Sequence, residues 1–237
     1  MALLAPRDDL AQLEVGSTQK SERHSNQNTS SAVMAQRIEP ADSADLFPTP
    51  PWATRALVEW ISSQDMRVWE QSVWEPAAGL GHMSNTLAEF FNTTEASDAF
   101  AYGYHWLWDF IADDHRTDQR WVADWIISNP PFKLAEEFCR IAIRRANIGV
   151  AMLVRTTFLE GVGRHRDLFS VTPPTYVLQF TERVPMHRGR LEEKGSTATA
   201  YCWLVWIKSD NSQETLLRWL PPCRKRLERP EDYRGAI

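Results

Sequence analysis

The sequence predicts an α/β domain built on a mostly parallel, doubly wound sheet. Three stretches carry that expectation: Ser72-Val-Trp-Glu75, Trp125-Ile-Ile-Ser128 and Ile148-Gly-Val-Ala-Met-Leu-Val154. Each is a short run with the length and composition of a buried strand, and the third is continuous enough to be covered on both faces. The first two stop at turn residues, at Gly79 and Gly81 and at Asn129-Pro-Pro131, and segments of helical periodicity separate the runs, as parallel neighbours require.

Residues 1–44 include Gly16-Ser-Thr-Gln-Lys-Ser-Glu-Arg-His-Ser-Asn-Gln-Asn-Thr-Ser-Ser31, which cannot bury enough apolar surface to offset its ordering entropy. They are expected to form a disordered tail, with a short helix near Leu10–Val15, and the folded domain to run from 45 to 237. Phe47-Pro-Thr-Pro-Pro-Trp52 leads into a helix over Ala53–Ser62, for which Thr49 is a candidate cap and the prolines are compatible with the first turn. After the strand ending at Glu75, Gly79 and Gly81 let the backbone turn sharply and approach a ligand at the start of the next helix, patterned by Met83, Leu87, Phe90 and Phe91.

Thr94–Asp98 is expected to be a short second strand ending in an acid that could accept ribose hydroxyls, with Glu95 as the competing choice. The aromatic stretch Phe100, Tyr102, Tyr104, Trp106 and Trp108 contains no cation, which points to core and cleft wall rather than a nucleic-acid stacking surface. Asp113, Asp114 and Asp118 are expected in a solvated loop before the strand over Trp121–Ser128.

That strand ends in Asn129-Pro-Pro-Phe132. The two prolines have fixed φ and no N–H, so the chain must leave the sheet there with Asn129 and Phe132 held in few geometries. In an open α/β sheet the carboxyl ends of the strands are where ligands bind. The Asn129 side-chain oxygen and the Pro130 carbonyl could accept hydrogen bonds from a weakly nucleophilic NH2, while Phe132 stacks on the flat group that carries it. The competing reading is a loop whose Asn caps the next helix and whose Phe is core.

Lys133–Arg145 is an amphipathic helix with Leu134, Phe138, Ile141 and Ala142 on one side and Arg140, Arg144 and Arg145 on the other. After Val154, Arg155, Arg164, His165 and Arg166 are candidate phosphate contacts, helix-surface charge being the alternative for the last three. Tyr176–Phe180 and Tyr201–Ile207 are expected to be the last two strands. The long connection between them holds Arg183, His187, Arg188, Arg190 and Lys194, and loops of that length are usually functional or disordered.

Glu75-Pro-Ala-Ala-Gly-Leu-Gly81 followed about 50 residues later by Asn129-Pro-Pro-Phe132 resembles motifs I and IV of the class I S-adenosylmethionine-dependent methyltransferases, and within them of the DNA adenine-N6 type, including small phage or prophage enzymes. Thr49-Pro50 resembles motif X and, preceding motif I, gives the γ order. The resemblance implies a Rossmann-like, seven-stranded sheet whose last strand is antiparallel. It implies S-adenosylmethionine as cofactor, held by Thr49, Pro50, Glu75 at its ammonium group, Pro76, Ala77, Gly79, Gly81, Asp98 as the motif II acid, and Asp109 and Phe110 as motif III around the adenine. It implies catalysis by Asn129, Pro130, Pro131 and Phe132 on DNA, contacted by Arg155, Arg164, Arg183, Arg188 and Arg190, with room for a separate specificity partner.

Charge fits this division. Residues 1–129 carry 8 basic against 19 acidic residues, a net −11, and residues 130–237 carry 18 against 12, a net +6, so the half expected to face the substrate is the positive one. Cys139, Cys202 and Cys223 show no paired spacing, no apolar run approaches the ~20 residues a bilayer requires, and the first residues lack a secretion signal, so a cytoplasmic protein is expected. His165 and His187 have no partners at ligand spacing, so no metal is expected. The rival substrates are an RNA base or a protein glutamine; the rival from another class is a non-catalytic cofactor- or nucleic-acid-binding subunit.

Overall fold

The computed structural model describes residues 45–103, 105–112 and 122–233. The expected tail over 1–44, Tyr104, the loop acids Asp113, Asp114 and Asp118, and Trp121 lie outside them.

Eight strands form one sheet: β1 Ser72–Glu75, β2 Thr93–Asp98, β3 Trp106–Leu107, β4 Trp125–Ser128, β5 Gly149–Arg155, β6 Tyr176–Phe180, β7 Tyr201–Ile207 and β8 Leu216–Leu220. Their order is β3-β2-β1-β4-β5-β7-β6-β8, and every pairing is parallel except those of β7 with β5 and β6. The order runs outward from β1 toward β3 on one side and through β4 and β5 on the other. The chain reverses between β1 and β4, and a crevice opens there at the carboxyl ends of the strands.

Strand residues alternate between two cores. Val73, Trp125, Ile127, Ala151, Leu153, Trp203 and Val205 pack with α1 (Pro51–Ser62) and α2 (His82–Leu87) on one face. Trp74, Ile126, Val150, Met152, Leu204 and Trp206 pack with α3 (Ala135–Arg145) on the other. Because both faces are covered, the central strands are apolar on both sides until their polar carboxyl ends at Glu75, Ser128 and Arg155, which is why they appear in the sequence as apolar runs.

Four local expectations are corrected. Thr49 does not cap α1, whose first turn is closed by the Ala53 amide donating to the Pro50 carbonyl. Prolines at the first positions remove the donors a threonine cap would have satisfied. The sheet has an eighth strand beyond Ile207, β8, parallel to β6. It escaped notice because only Leu220 of its five residues is buried, so it shows no buried face. Among its described residues the aromatic stretch is core and cleft wall except at Trp106: Trp108 is buried and Phe100 and Tyr102 line the cleft, whereas Trp106 is exposed because the two-residue β3 lies on the sheet edge. The long 181–200 connection is not a free arm, since Val184 and Met186 are buried in the first core and Gly189 donates its amide to the Leu46 carbonyl.

A buried ion cluster fastens the end of the described chain to α1. Arg55 makes paired hydrogen bonds to Asp232 (2.8 and 2.8 Å) and to Glu89 (2.8 and 3.1 Å), and a further one to the Leu227 carbonyl. Burial alone would lower the Arg55 pKa, but the two carboxylates outweigh it and hold the guanidinium charged.

Candidate active site

The crevice is built from four loops at the carboxyl edge of the sheet. The turn after β1 supplies Glu75, Pro76, Ala77 and Gly79, and the end of β2 supplies Asp98. Asp109 and Ile111 follow β3, and Asn129 and Pro131 follow β4. A strap at the start of the domain, Asp45–Thr49, closes the cleft from the side.

Gly79 and Gly81 both have left-handed φ, +52° and +79°. Gly81 starts α2, and Gly79 donates its amide to Asp98 Oδ2 at 2.9 Å, which locks the turn against the end of β2. A Cβ at Gly79 would stand 2.7 Å from Leu46 Cδ1, so the strap also depends on the absence of a side chain there. The other Asp98 oxygen accepts from the Phe100 amide. Burial raises the Asp98 pKa, while those two amides oppose the rise.

Glu75 is 2% exposed, and its Oε2 is buried with no hydrogen-bond partner. Desolvation pushes its carboxyl well above the ordinary range; hydrogen bonds from Ser84 pull it back, and the nearby Asp98 charge adds to the rise. A buried, half-satisfied carboxylate in a cleft wall is a receptor for a cationic group. The donor set therefore fits the ammonium end and ribose of S-adenosylmethionine, with Glu75, Asp98 and the Gly79 turn as the residues to hold it.

Asn129-Pro-Pro-Phe132 forms the partition between this cleft and a second pocket. Extended residues around prolines alternate sides. Asn129 and Pro131 face the cleft, and Pro130 and Phe132 face the second pocket, which Arg155, Thr157, Phe158 and Arg164 also line. The Asn129 amide donates to the Phe47 carbonyl at 2.9 Å and lies 3.8 Å from the Met186 sulfur, while its oxygen is buried with no partner. The carbonyl fixes which way the amide points, so an acceptor is held ready in the cleft wall. Asn129 therefore does not cap a helix. The Phe132 amide donates to Asp45 Oδ2 at 2.6 Å, and the Phe132 ring lies 5.2 Å from Phe47 and 6.4 Å from Tyr201, with the Arg155 guanidinium 3.8 Å above its centre.

Not every expected site residue reaches the cleft. Pro50 and Gly81 do not line it, and Phe110 is core, 2% exposed between Trp74 and Phe138, with Ile111 taking its place in the wall. Thr49, Pro76, Ala77 and Asp109 do line it, and Asp109 also holds the amides of Ile111 and Ala112. Glu95 lies outside the cleft wall, in mid-strand beside Trp74. Arg164 is tied by Nη1 to the carbonyls of Phe158 and Glu160 at 2.6 Å, over the Phe158 ring, which makes it an anchor of its own turn. Arg155, Arg183, Arg188 and Arg190 are exposed, Arg190 pairing with Glu192.

Several contributors were missed in the sequence. Asp45 and Phe47 hold the loop after β4, the latter through a carbonyl that carries no residue-type signal. His82 also lines the cleft; its Nε2 is buried without a partner and its pKa is lowered by burial against the opposing pull of Asp232. The glycine turn just before His82 was the one available pointer.

Among the described residues no three His, Cys, Asp or Glu are placed to hold a metal ion, and no helix is long and apolar enough to cross a membrane.

No known family profile matches the sequence, and no curated protein matches it. Solved structures do. A protein from Listeria monocytogenes classed as a class I S-adenosylmethionine-dependent methyltransferase superposes with a TM-score of 0.52 at 12% identity, over 79% of this chain and 68% of that one. A modification subunit assigned to a type I restriction enzyme of Vibrio vulnificus gives 0.51 at 15% identity; the match covers 79% of this chain but spans only 50% of that one. A protein of Pyrococcus horikoshii classed as an RNA methyltransferase gives 0.52 at 16% identity, over 74% and 96%. The fold is the Rossmann-like α/β fold of class I S-adenosylmethionine-dependent methyltransferases.

Proposed function

We propose that this protein is an S-adenosylmethionine-dependent methyltransferase that modifies an exocyclic amino nitrogen, N6 of adenine in DNA. The observation that carries the reading is the Asn129 side chain: its amide is fixed on the Phe47 carbonyl, and its buried oxygen is left without a partner beside the cleft.

The bound cofactor supplies an electrophilic methyl on a sulfonium. The protein's own residues do the rest by placement. Asn129 Oδ1 and the Pro130 carbonyl accept the two amino hydrogens, which draws the nitrogen lone pair out of conjugation with the ring. Phe132 holds the flat group in register, and Pro131 and Pro130 keep the two acceptors rigid. No strong base is needed, because the amine's proton can leave after attack, so catalysis is positioning and charge placement in a site closed by the strap. The preference for DNA is supported by the positive second half of the chain and by the exposed Arg155, Arg183, Arg188 and Arg190. The last three lie on the connection that also brings Met186 to Asn129. A separate partner that selects the target sequence belongs to the same proposal.

The test is incubation of the purified chain with methyl-labelled cofactor and unmethylated DNA, RNA and protein in parallel, followed by nucleoside and amino-acid analysis. Label is expected in N6-methyldeoxyadenosine. Asn129→Ala should lower the rate by roughly 100-fold to 1,000-fold, the scale for loss of one charge-stabilising hydrogen bond, with cofactor affinity retained. DNA binding should weaken steeply with salt. Label found only in RNA or in glutamine, or an Asn129→Ala protein as fast as the wild type, would overturn the reading.

A further inference from the structure

We propose that Arg155 is a placeholder on the catalytic ring: its guanidinium occupies the face of Phe132 that the target's flat ring takes up, and it leaves that face for a backbone phosphate when the target enters. This rests on the DNA reading above and deepens it.

Three groups crowd the partly buried ring of Phe132. Phe47 approaches at 5.2 Å with a 40° tilt and Tyr201 at 6.4 Å with a 36° tilt, both too inclined to be stacked. Arg155 Cζ sits 3.8 Å from the ring centre, at stacking distance, and a guanidinium is itself a planar, delocalised group of nearly the shape of a heterocycle edge. On the face that Arg155 covers, a base can stack on Phe132 only by displacing that guanidinium or shifting the rings beside it. Tyr201 is 3% exposed and locked in β7, and the strap that carries Phe47 is bonded to Asn129 and to the 181–200 connection. Arg155 is the movable one. It is exposed at the last position of β5, opposite Tyr201, whose hydroxyl accepts a hydrogen bond from it.

Arg164 shows what a fixed guanidinium looks like in the same pocket. It also covers an aromatic ring, Phe158 at 3.9 Å, but two backbone carbonyls hold it at 2.6 Å and Glu136 lies 3.8 Å away. Arg155 is held instead by the Tyr201 hydroxyl and the Phe132 ring, and its charge, five donors and reach suit a phosphate bidentately once the ring is occupied. The exchange keeps Phe132 covered in the empty enzyme and couples capture of the base to capture of the strand that carries it.

The experiment separates the two halves of the exchange by giving them opposite signs. Adenosine binding is measured by calorimetry with the cofactor site saturated by S-adenosylhomocysteine, and DNA binding by titration across salt concentrations. For Arg155→Ala, adenosine should bind about 2-fold to 5-fold more tightly, the scale of removing one competing exposed cation–π contact. DNA should bind more weakly, with its salt slope reduced by about 1. In a Phe132→Leu background the gain for adenosine should vanish. Unchanged or weaker adenosine binding by Arg155→Ala would overturn the placeholder while leaving the methyltransferase reading intact. Adenosine binding to none of the proteins, in a chain that still binds S-adenosylhomocysteine, would instead remove adenine as the target and this proposal with it.

Discussion

Glu75 is the residue whose chemistry is most altered by the fold. It is buried, one of its oxygens has no partner, and desolvation raises its pKa well above 4.5. A folded-state pKa above the unfolded one gives stability that is fully present below the unfolded value and is lost as pH rises through the folded value. In the cofactor-free protein the burial of Glu75 therefore costs stability once the pH is above the ordinary carboxylate range. Glu75→Gln should raise the melting temperature at pH 8, by an amount corresponding to about 1 to 3 kcal/mol for relieving an unsatisfied buried group. The gain should shrink toward nothing near pH 4, and the variant should lose cofactor affinity. Thermal melts of both proteins across that range decide it, and a glutamine variant no more stable than wild type at pH 8 would mean that Glu75 carries no burial penalty.

At the scale of elements, the strap and the glycine turn act together. Asp45 holds the Phe132 amide, the Leu46 carbonyl holds Gly189, and the Phe47 carbonyl holds Asn129, so three consecutive residues tie three parts of the site. Leu46 in turn fills the space where a side chain at position 79 would go. Gly79→Val should therefore lower S-adenosylmethionine affinity by about 10-fold or more, since the left-handed backbone alone costs a side chain roughly 1 to 2 kcal/mol and the strap must also shift. Calorimetry on the folded variant checks it, and an unchanged affinity would remove the turn from the cofactor site. The turn was legible in the sequence because only glycine does this work, and the loop after β4 because Asn-Pro-Pro ends a buried run. The central strands were legible because both of their faces are apolar. The strap's role was not, because backbone carbonyls leave no trace in residue types, and β3 and β8 were hidden because edge strands keep exposed faces. Phe110 went into the core instead of the cleft because it lies in a tight turn that Asp109 closes on the Ile111 and Ala112 amides, and the sequence did not fix which side of the turn faces inward.

For the whole molecule the decisive feature is the ion cluster around Arg55. Its side chain and that of Asp232 are 4% and 3% exposed. Removing one partner of a buried pair typically costs about 3 to 5 kcal/mol because the other charge is left without compensation. Asp232→Ala should fall at the lower end of that range, since Glu89 remains on the guanidinium. Urea denaturation measures it, and a loss below about 1 kcal/mol would show that the end of the chain is dispensable for stability.

The same cluster joins positions 177 residues apart, α1 at the entrance of the domain and the final turn at its exit. During synthesis the guanidinium of Arg55 emerges early and must wait for almost the entire domain to be made before its second carboxylate arrives. The helix that carries the strap is thereby secured by a carboxylate from the far end of the described chain. A ribosome-bound chain stalled before residue 229 should leave α1 open to protease attack, whereas the released chain should resist it.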